Sequence, residues 1–153
     1  MNTNIDTIDR NILKILQSDT SVSVDEISDR VALSRNACWR RIKQLEAAGV
    51  ITKRVALLNP HAVGCGLSVM VMIKTNAHDK NWRADFQTAL AAMPEVVGAH
   101  RMTGDLDYVL RVRVADVKAY DNFYKQLTSR ISVSDISASF VMEDIKDTTA
   151  VPL

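Results

Sequence analysis

The chain has 153 residues, of which 47% are hydrophobic and 24% are charged. This length allows one ordinary domain or two small ones and excludes a large multidomain enzyme, and the composition is that of a chain that folds around a core. Nineteen Lys and Arg residues oppose eighteen Asp and Glu residues, which gives a formal net charge of +1. Taken over the whole chain, this near balance argues against a nucleic-acid-binding protein.

Neither a membrane span nor an export signal is predicted. The longest apolar run, residues 67–73, is interrupted by Ser68 and is far shorter than the roughly 20 residues that a span requires. The first ten residues carry two Asp and no apolar stretch, so we expect no secretory signal. In a chain without such a signal, Cys38 and Cys65 are expected to be reduced thiols. We therefore expect a soluble, cytoplasmic protein.

Three helices are predicted in the first third of the chain. Apolar residues recur at helical spacing over residues 6–18. Ser23 is followed three residues later by Glu26, the spacing of a capping box, which predicts a short helix over about 24–31. Ser34 is a suitable N-cap for a third helix that ends at Gly49. This pattern is typical of a helix-turn-helix motif over about 24–43.

The third helix has one apolar face and one basic, polar face. At about 100° per residue, Ile42 and Leu45 lie within about 40° of Cys38, whereas Arg40 lies on the opposite side. Arg side chains pair with guanine and Asn side chains with adenine in the major groove, and basic side chains neutralise phosphates. We expect residues 50–58 to be extended with a hairpin tip that acts as a wing. The predicted DNA-binding residues are Ser34, Arg35, Asn36, Trp39, Arg40, Arg41, Lys43, Lys53 and Arg54.

The distribution of charge removes the objection raised by the net charge. Six basic residues and only one acidic residue, Glu46, lie between Ser34 and Arg54, so this segment carries +5 and the rest of the chain −4. A basic stripe on an otherwise acidic chain is the electrostatic signature of a protein that binds a polyanion. The alternative for a charge run by itself is a solvated helix face without a partner.

The remainder of the chain predicts a second, ferredoxin-like domain. Residues 61–66 contain two of the five glycines and are interpreted as a linker. Alternating and helical patterns then follow in the order β, α, β, β, α, β, which is the split βαβ arrangement. We therefore predict an α+β protein with a winged helix-turn-helix domain over residues 1–60 and a ferredoxin-like domain over residues 67–153.

The sequence resembles the Lrp/AsnC, or feast/famine, family of transcription regulators over nearly its whole length. The motifs that carry the resemblance are spread in order along the chain: Ile5-Asp6, Asp9-Arg10, Ile12-Leu13, Glu26-Ile27-Ser28, Val31-Ala32-Leu33-Ser34, Cys38, Arg41, Leu45-Glu46, Gly49-Val50-Ile51, residues 57–60 and residues 104–110. The resemblance implies a regulator that binds double-stranded DNA, responds to an amino acid or a related small molecule, and assembles into homodimers and commonly octamers. It also implies that residues 67–153 are the ligand-binding and oligomerisation domain.

The tight turn after the second strand of the ferredoxin-like domain is the candidate effector site. The resemblance places the effector pocket there, completed by a neighbouring subunit. Gly104 permits a positive φ, and Asp105 and Asp107 offer acceptors for an α-ammonium group. An ordinary Asp-rich hairpin turn is the alternative. The predicted effector-binding residues are Met102, Gly104, Asp105, Asp107 and Tyr108.

No catalytic or metal-binding motif is apparent in the sequence. The histidines have no metal-ligand spacing to either cysteine, neither cysteine belongs to a C-x-x-C pair, and no phosphate-binding loop or nucleophile elbow is present. We therefore expect neither enzymatic activity nor a cofactor. Two alternatives stay open at this stage: an architectural DNA-binding protein without an effector, and a ferredoxin-like ligand-binding or metabolic protein whose first half is an assembly arm.

Overall fold

A computed structural model describes residues 5–77 and 79–153. The chain divides into two compact units, one formed by the residues up to Leu57 together with Lys146–Leu153 and the other by Leu58–Ile145. Residues 1–4, which belong to the segment considered for an export signal, lie outside the described residues.

Three helices build the first unit, as predicted: α1 (Thr7–Ser18), α2 (Val24–Arg30) and α3 (Arg35–Ala47). Each begins at a capping residue whose side chain accepts a hydrogen bond from the amide three residues later; these residues are Asp6, Ser23 and Ser34. Side-chain caps satisfy amides that the helix itself leaves without partners. The helix starts are therefore encoded locally.

The apolar faces of the three helices meet in one core. Its fully or almost fully buried members include Ile12 from α1, Ile27 from α2, and Cys38, Ile42 and Leu45 from α3. Burial of each large aliphatic side chain contributes about 1.5–3 kcal/mol. The face of α3 that the helical wheel assigns to the interior is therefore the one that packs against α1 and α2.

The turn between α2 and α3 is short and well bonded. The amide of Leu33 donates to the carbonyl of Ser28 at 3.0 Å, and Ala32 adopts a φ of 54°. A positive φ is uncommon for a residue with a Cβ, and here it allows the chain to reverse within three residues. The turn fixes where α3 begins.

The hairpin predicted for the wing does not form. Residues 50–58 contain no strand, and both Val50 and Ile51 donate their amides to the carbonyl of Leu45, at 3.0 and 3.2 Å. The first two residues of the segment are therefore bonded to the end of α3 instead of to a partner strand. Lys53 and Arg54 are exposed on an irregular stretch that follows α3.

The second unit has the predicted βαββαβ order. Its elements are β1 (Leu67–Lys74), α4 (Lys80–Ala91), β2 (Val96–Arg101), β3 (Tyr108–Val114), α5 (Val117–Arg130) and β4 (Asp135–Phe140). The four strands form one sheet in the order β2-β3-β1-β4, and all three neighbouring pairs are antiparallel. This is the strand order of a ferredoxin-like sheet.

Along the central strands β1 and β3, buried side chains that face the core alternate with less buried side chains on the opposite face of the sheet. Val69, Val71 and Ile73 are fully buried with the helices, while Met70 and Met72 on the opposite face are half-buried. In α5, Phe123 is buried whereas Val117 and Tyr124 are exposed. The ring of Phe123 fills the space over the sheet, together with Leu127 and Ile131.

The last eight residues belong to the first unit, whereas the domain boundaries expected from the sequence placed them in the second. Leu153 packs against the core of the three helices, and Gln17 of α1 exchanges hydrogen bonds with Val151. Two separate stretches of the chain therefore build the first unit.

Candidate nucleic-acid interface and effector site

The solvent-facing side of α3 brings together several of the predicted DNA-binding residues. Ser34, Arg35, Asn36, Arg40 and Lys43 are all exposed. Trp39 is 53% exposed, a large fraction for an indole in a folded unit. A row of amide, basic and aromatic side chains on one side of a helix suits a groove of DNA.

Most of the basic side chains of this segment pair with a nearby acid. Arg35 Nε lies 2.8 Å from Asp25 Oδ1, across the turn between α2 and α3. The carboxylate of Glu46 forms two ion pairs, through Oε2 with Lys43 Nζ at 2.8 Å and through Oε1 with Arg54 Nη2 at 3.1 Å. Hydrogen bonding with Lys43 is the main cause that lowers the pKa of Glu46. These pairs are exposed and exchangeable, so a phosphate can replace the carboxylate at little cost.

Two cations of the segment differ from the others. Within residues 5–77 and 79–153, Arg40 and Lys53 have no carboxylate partner. Both side chains are exposed. Within this segment, the positive charge that can meet a polyanion without breaking an ion pair is therefore carried by these two residues.

Arg41 was expected among the DNA-binding residues, and the structure gives it protein partners. Its Nη1 atom lies 2.8 Å from Asp6 Oδ2 and 2.8 Å from Asp9 Oδ1. The hydrogen bonds that Arg41 donates to the carboxylates of Asp9 and Asp6 raise its pKa, and the Asp9 amide, followed by the Arg41 guanidinium, lowers the pKa of Asp6. Arg41 therefore joins the middle of α3 to the first turn of α1.

The predicted effector turn is open at its tip. Gly104 has a φ of +102° and nothing lies within 4 Å of where a Cβ would be. Asp105 beside it is exposed, and Met102 is 43% exposed. A turn with a bare backbone and a carboxylate next to it leaves room for a small ligand or for a neighbouring subunit.

Asp107 has a different environment at the base of the same turn. Its carboxylate Oδ2 accepts the amide of Thr75 at 2.8 Å. Its backbone donates to the carbonyl of Ile73 at 3.1 Å and accepts the amide of Met102 at 2.8 Å. Asp107 thus ties the turn to the end of β1, so the tip that carries Asp105 projects from a fixed base.

An aromatic cluster lies directly behind this turn. Tyr108 packs against Phe86 with ring centroids 4.8 Å apart and against Trp82 at 5.7 Å. Trp82 in turn donates its indole N–H to the carbonyl of Ser132 at 2.8 Å. Rigid rings and a satisfied indole hold the start of β3 in place. Tyr108 was predicted at the effector site, and its contact with α4 has no counterpart in a local sequence pattern.

A cavity of about 790 Å³ lies in the first unit. Its wall includes α1, the irregular segment 50–57 and the carboxyl-terminal residues Val151 and Leu153. Among residues 5–77 and 79–153, no three His, Cys, Asp or Glu side chains are grouped so as to hold a metal ion. No helix in these ranges is both long and apolar enough to cross a bilayer.

Comparison with known proteins agrees with both halves of this architecture. A family model described as a winged helix-turn-helix DNA-binding domain matches residues 5–52, and the model of the Lrp/AsnC ligand-binding domain matches residues 68–151. The chain is 45% identical over 150 residues to the DNA-binding transcriptional activator DecR of Escherichia coli K12. The matched region covers 97% of this chain and 99% of that protein.

Two crystal structures are similar over almost the whole chain. An AsnC family transcriptional regulator from Agrobacterium tumefaciens matches with a TM-score of 0.93 and 46% identity, over 96% of each chain. A transcriptional regulator from Neisseria meningitidis, crystallised in complex with L-Met, also has a TM-score of 0.93, with 37% identity over 97% of each chain.

The fold, the basic face of α3 and these matches define the class of the protein: it is a DNA-binding transcriptional regulator with a separate ligand-binding domain. The chain belongs to the Lrp/AsnC family.

Proposed function

We propose that this regulator reads a specific DNA sequence with α3 and that an amino acid or a related small molecule, bound at the turn of the second unit, modulates that binding. The observation that carries the DNA part is the exposed face of α3, where Arg40 stands without a carboxylate partner among the described residues. An unpaired guanidinium on a recognition helix is available for bidentate bonding to guanine.

The other residues of the predicted set have supporting roles. Ser34 and the first amides of α3 face a phosphate at the helix N-terminus, where the dipole favours an anion. Asn36 is placed to reach base edges, and Trp39 to rest against the sugar-phosphate edge. Lys53 and the exchangeable cations Arg35, Lys43 and Arg54 neutralise phosphates on either side.

Replacement of Arg40 tests the DNA-reading face. The Arg40→Ala variant is expected to lose about 1–3 kcal/mol of specific binding free energy with no change in thermal stability. Lys118→Ala, which removes the same charge from exposed α5 in the other unit, is the matched control and is expected to bind normally. Binding of upstream DNA by the unmodified protein with the same affinity and salt dependence as random duplex would refute sequence-specific binding.

The effector proposal depends on the open tip of the turn at Gly104 and Asp105. The carboxylate of Asp105 suits an α-ammonium group, and backbone amides of the turn suit an α-carboxylate. The solved relative from Neisseria meningitidis binds L-Met, which supports an amino acid as the class of ligand. A thermal-melt screen of the twenty amino acids identifies the effector by a rise in Tm.

Asp105→Ala is the corresponding test for the effector site. It is expected to abolish the ligand-induced rise in Tm while DNA affinity without ligand is unchanged. Because a ligand shifts an equilibrium only through differential affinity, the unmodified protein must also bind DNA differently with and without the effector. A protein that responds to no amino acid in either assay would instead be an architectural DNA-binding protein.

We also propose that the protein works as a homodimer, and as an octamer built from dimers, in the cytoplasm. Met72 and Val109 are partners across β1 and β3 and lie with Met70 on the sheet face opposite to the core. Burial of this apolar face against a second copy removes it from water, and a two-fold dimer presents two copies of α3 to a palindromic site. Sedimentation of a monomer at micromolar concentration would contradict this assembly.

A further inference from the structure

One nitrogen atom of Arg41 donates hydrogen bonds to two carboxylates at the start of α1. The Nη1 atom is 2.8 Å from an oxygen of Asp6 and 2.8 Å from an oxygen of Asp9. The side chain of Asp9 is only 13% exposed and that of Arg41 28% exposed, whereas that of Asp6 is 48% exposed. The Arg41–Asp9 pair is therefore less accessible to solvent than the other ion pairs of α3.

The two acids also cap α1. Asp6 Oδ1 accepts the amide of Asp9 at 2.8 Å, and Asp9 Oδ2 accepts the amide of Asp6 at 3.3 Å. A capping box made of two carboxylates places like charges close together, which is unfavourable without a cation. Arg41 supplies that cation, so the start of α1 is complete only when α3 is correctly placed beside it.

The position of Arg41 on α3 gives this contact a particular consequence. Its side chain leaves the helix about 60° from the buried Cys38, whereas Arg40 leaves at about 160° on the same side. The apolar core determines which face of α3 is buried, but the hydrophobic effect is non-directional and does not by itself define the exact rotation of α3 about its axis. A charge-assisted hydrogen bond is directional. The Arg41 contact therefore fixes the angle at which Arg40 and Asn36 face outward.

We propose that Arg41 is a positioning residue for DNA recognition, held by Asp6 and Asp9, and that it does not act by contacting phosphate. This inference rests on the proposed DNA-reading face of α3. It predicts that the two acids favour DNA binding although they carry the same sign of charge as DNA.

Neutralisation of Asp9 distinguishes a positioning role of Arg41 from a phosphate contact, because the two roles predict opposite changes in DNA affinity. If Arg41 contacts DNA, Asp9→Asn removes a competitor and a repulsive charge, and affinity rises. If Arg41 positions α3, Asp9→Asn weakens specific binding by roughly tenfold, the size of one misplaced base contact. Asp29→Asn, which neutralises an exposed acid of α2, is the matched control and is expected to leave affinity unchanged or slightly raised.

The salt dependence of binding gives a second readout that loss of stability does not change. Each phosphate contact contributes about −0.9 to the slope of log K against log salt concentration. Arg41→Gln is expected to lower specific affinity with an unchanged slope, while Lys53→Gln is expected to make the slope about 0.9 less steep. Arg41→Lys, which restores one cation to the two acids, is expected to recover part of the specific affinity.

All affinities are to be measured on the full-length protein below the onset of melting of each variant, with the active fraction determined by stoichiometric titration. Tighter binding by Asp9→Asn, or a slope reduced by about 0.9 in Arg41→Gln, would overturn the positioning role. Normal affinity of both variants would overturn it as well. Failure of the unmodified protein to prefer any DNA sequence is a different result, which would reject the proposed function itself.

Discussion

The side chain of Gln17 and the backbone of Val151 exchange two hydrogen bonds. Gln17 Nε2 donates to the carbonyl of Val151 at 3.1 Å, and the amide of Val151 donates to Gln17 Oε1 at 3.0 Å. The two residues are 134 positions apart. A primary amide that bonds both backbone groups of one residue acts like a short piece of sheet, and it attaches the carboxyl-terminal segment to α1.

Removal of this amide is expected to loosen the attachment without affecting the fold of the helices. Each exposed hydrogen bond contributes at most about 0.5–1.5 kcal/mol, so Gln17→Ala is expected to lower the free energy of unfolding by about 1 kcal/mol. Hydrogen exchange of the Val151 amide is expected to accelerate. Gln126→Ala on exposed α5 is the control, and an equal loss in both variants would contradict a specific role of the contact.

Stability is expected to decline on acidification because several carboxylates have lowered pKa values. Hydrogen bonds from Ser23 lower the pKa of Glu26, and the Asp9 amide and Arg41 lower that of Asp6. A group whose pKa is lower in the folded state stabilises the protein above its unfolded pKa, and that contribution is lost as the pH falls through the folded value. We expect Tm to be nearly constant from pH 7 to about 5 and to fall below about pH 4.

A single variant isolates one of these carboxylates. Glu26→Gln retains the shape of the side chain but loses the charge-assisted bonds to the backbone and hydroxyl of Ser23, which are both 3.1 Å long. The difference in Tm between this variant and the unmodified protein is expected to shrink as the pH falls below about 4. A difference that is independent of pH would assign the effect of Glu26 to packing.

The two thiols are expected to react at very different rates. Cys38 is fully buried on the inner face of α3, and burial raises the pKa of its thiol, whereas Cys65 is exposed. The thiolate is the reactive form, so a disulfide reagent is expected to modify one thiol per native chain and two after denaturation. Cys65→Ser should abolish the fast reaction. Rapid modification of Cys38 in native Cys65→Ser would indicate that the first unit opens frequently.

The core of the second unit is expected to depend strongly on Phe123. This ring is 1% exposed and packs over the central strands, so Phe123→Ala is expected to cost about 3–5 kcal/mol through lost burial and a residual cavity. The neighbouring Tyr124 is 37% exposed, and Tyr124→Ala is expected to cost much less. Chemical denaturation monitored by circular dichroism compares the two, and equal losses would contradict the observed orientation of α5.

Local signals in the sequence predicted the elements well. Helix ends depend on only a few neighbouring residues, such as the capping residues Ser23 and Ser34 and the positive φ of Gly49. The alternation of buried residues in β1 likewise follows from the geometry of a single strand, whose side chains point to opposite faces of the sheet. The order of elements then identified both folds, because few architectures combine a helical triplet with βαββαβ. The resemblance to the Lrp/AsnC family rested on the same locally encoded motifs.

Contacts between distant residues were not predictable in the same way. The pair of acids at the start of α1 was visible in the sequence, but nothing local linked it to Arg41, 35 residues further along from Asp6. Asp107 was expected to face a ligand, and the structure shows its carboxylate on the amide of Thr75, 32 residues away. The charge of a side chain indicates that it requires a partner but does not identify the partner.

The sequence by itself therefore determined the two domains, their secondary structure and the chemical character of the two candidate sites, because periodicity, caps and local charge act over one or two turns of chain. Only the tertiary structure decided which cations of α3 pair with an acid, which acid fixes the base of the turn at Gly104, and that the last eight residues pack with the first unit. Those outcomes depend on which surfaces meet once both cores have formed, and the packing of a core is a property of the whole unit.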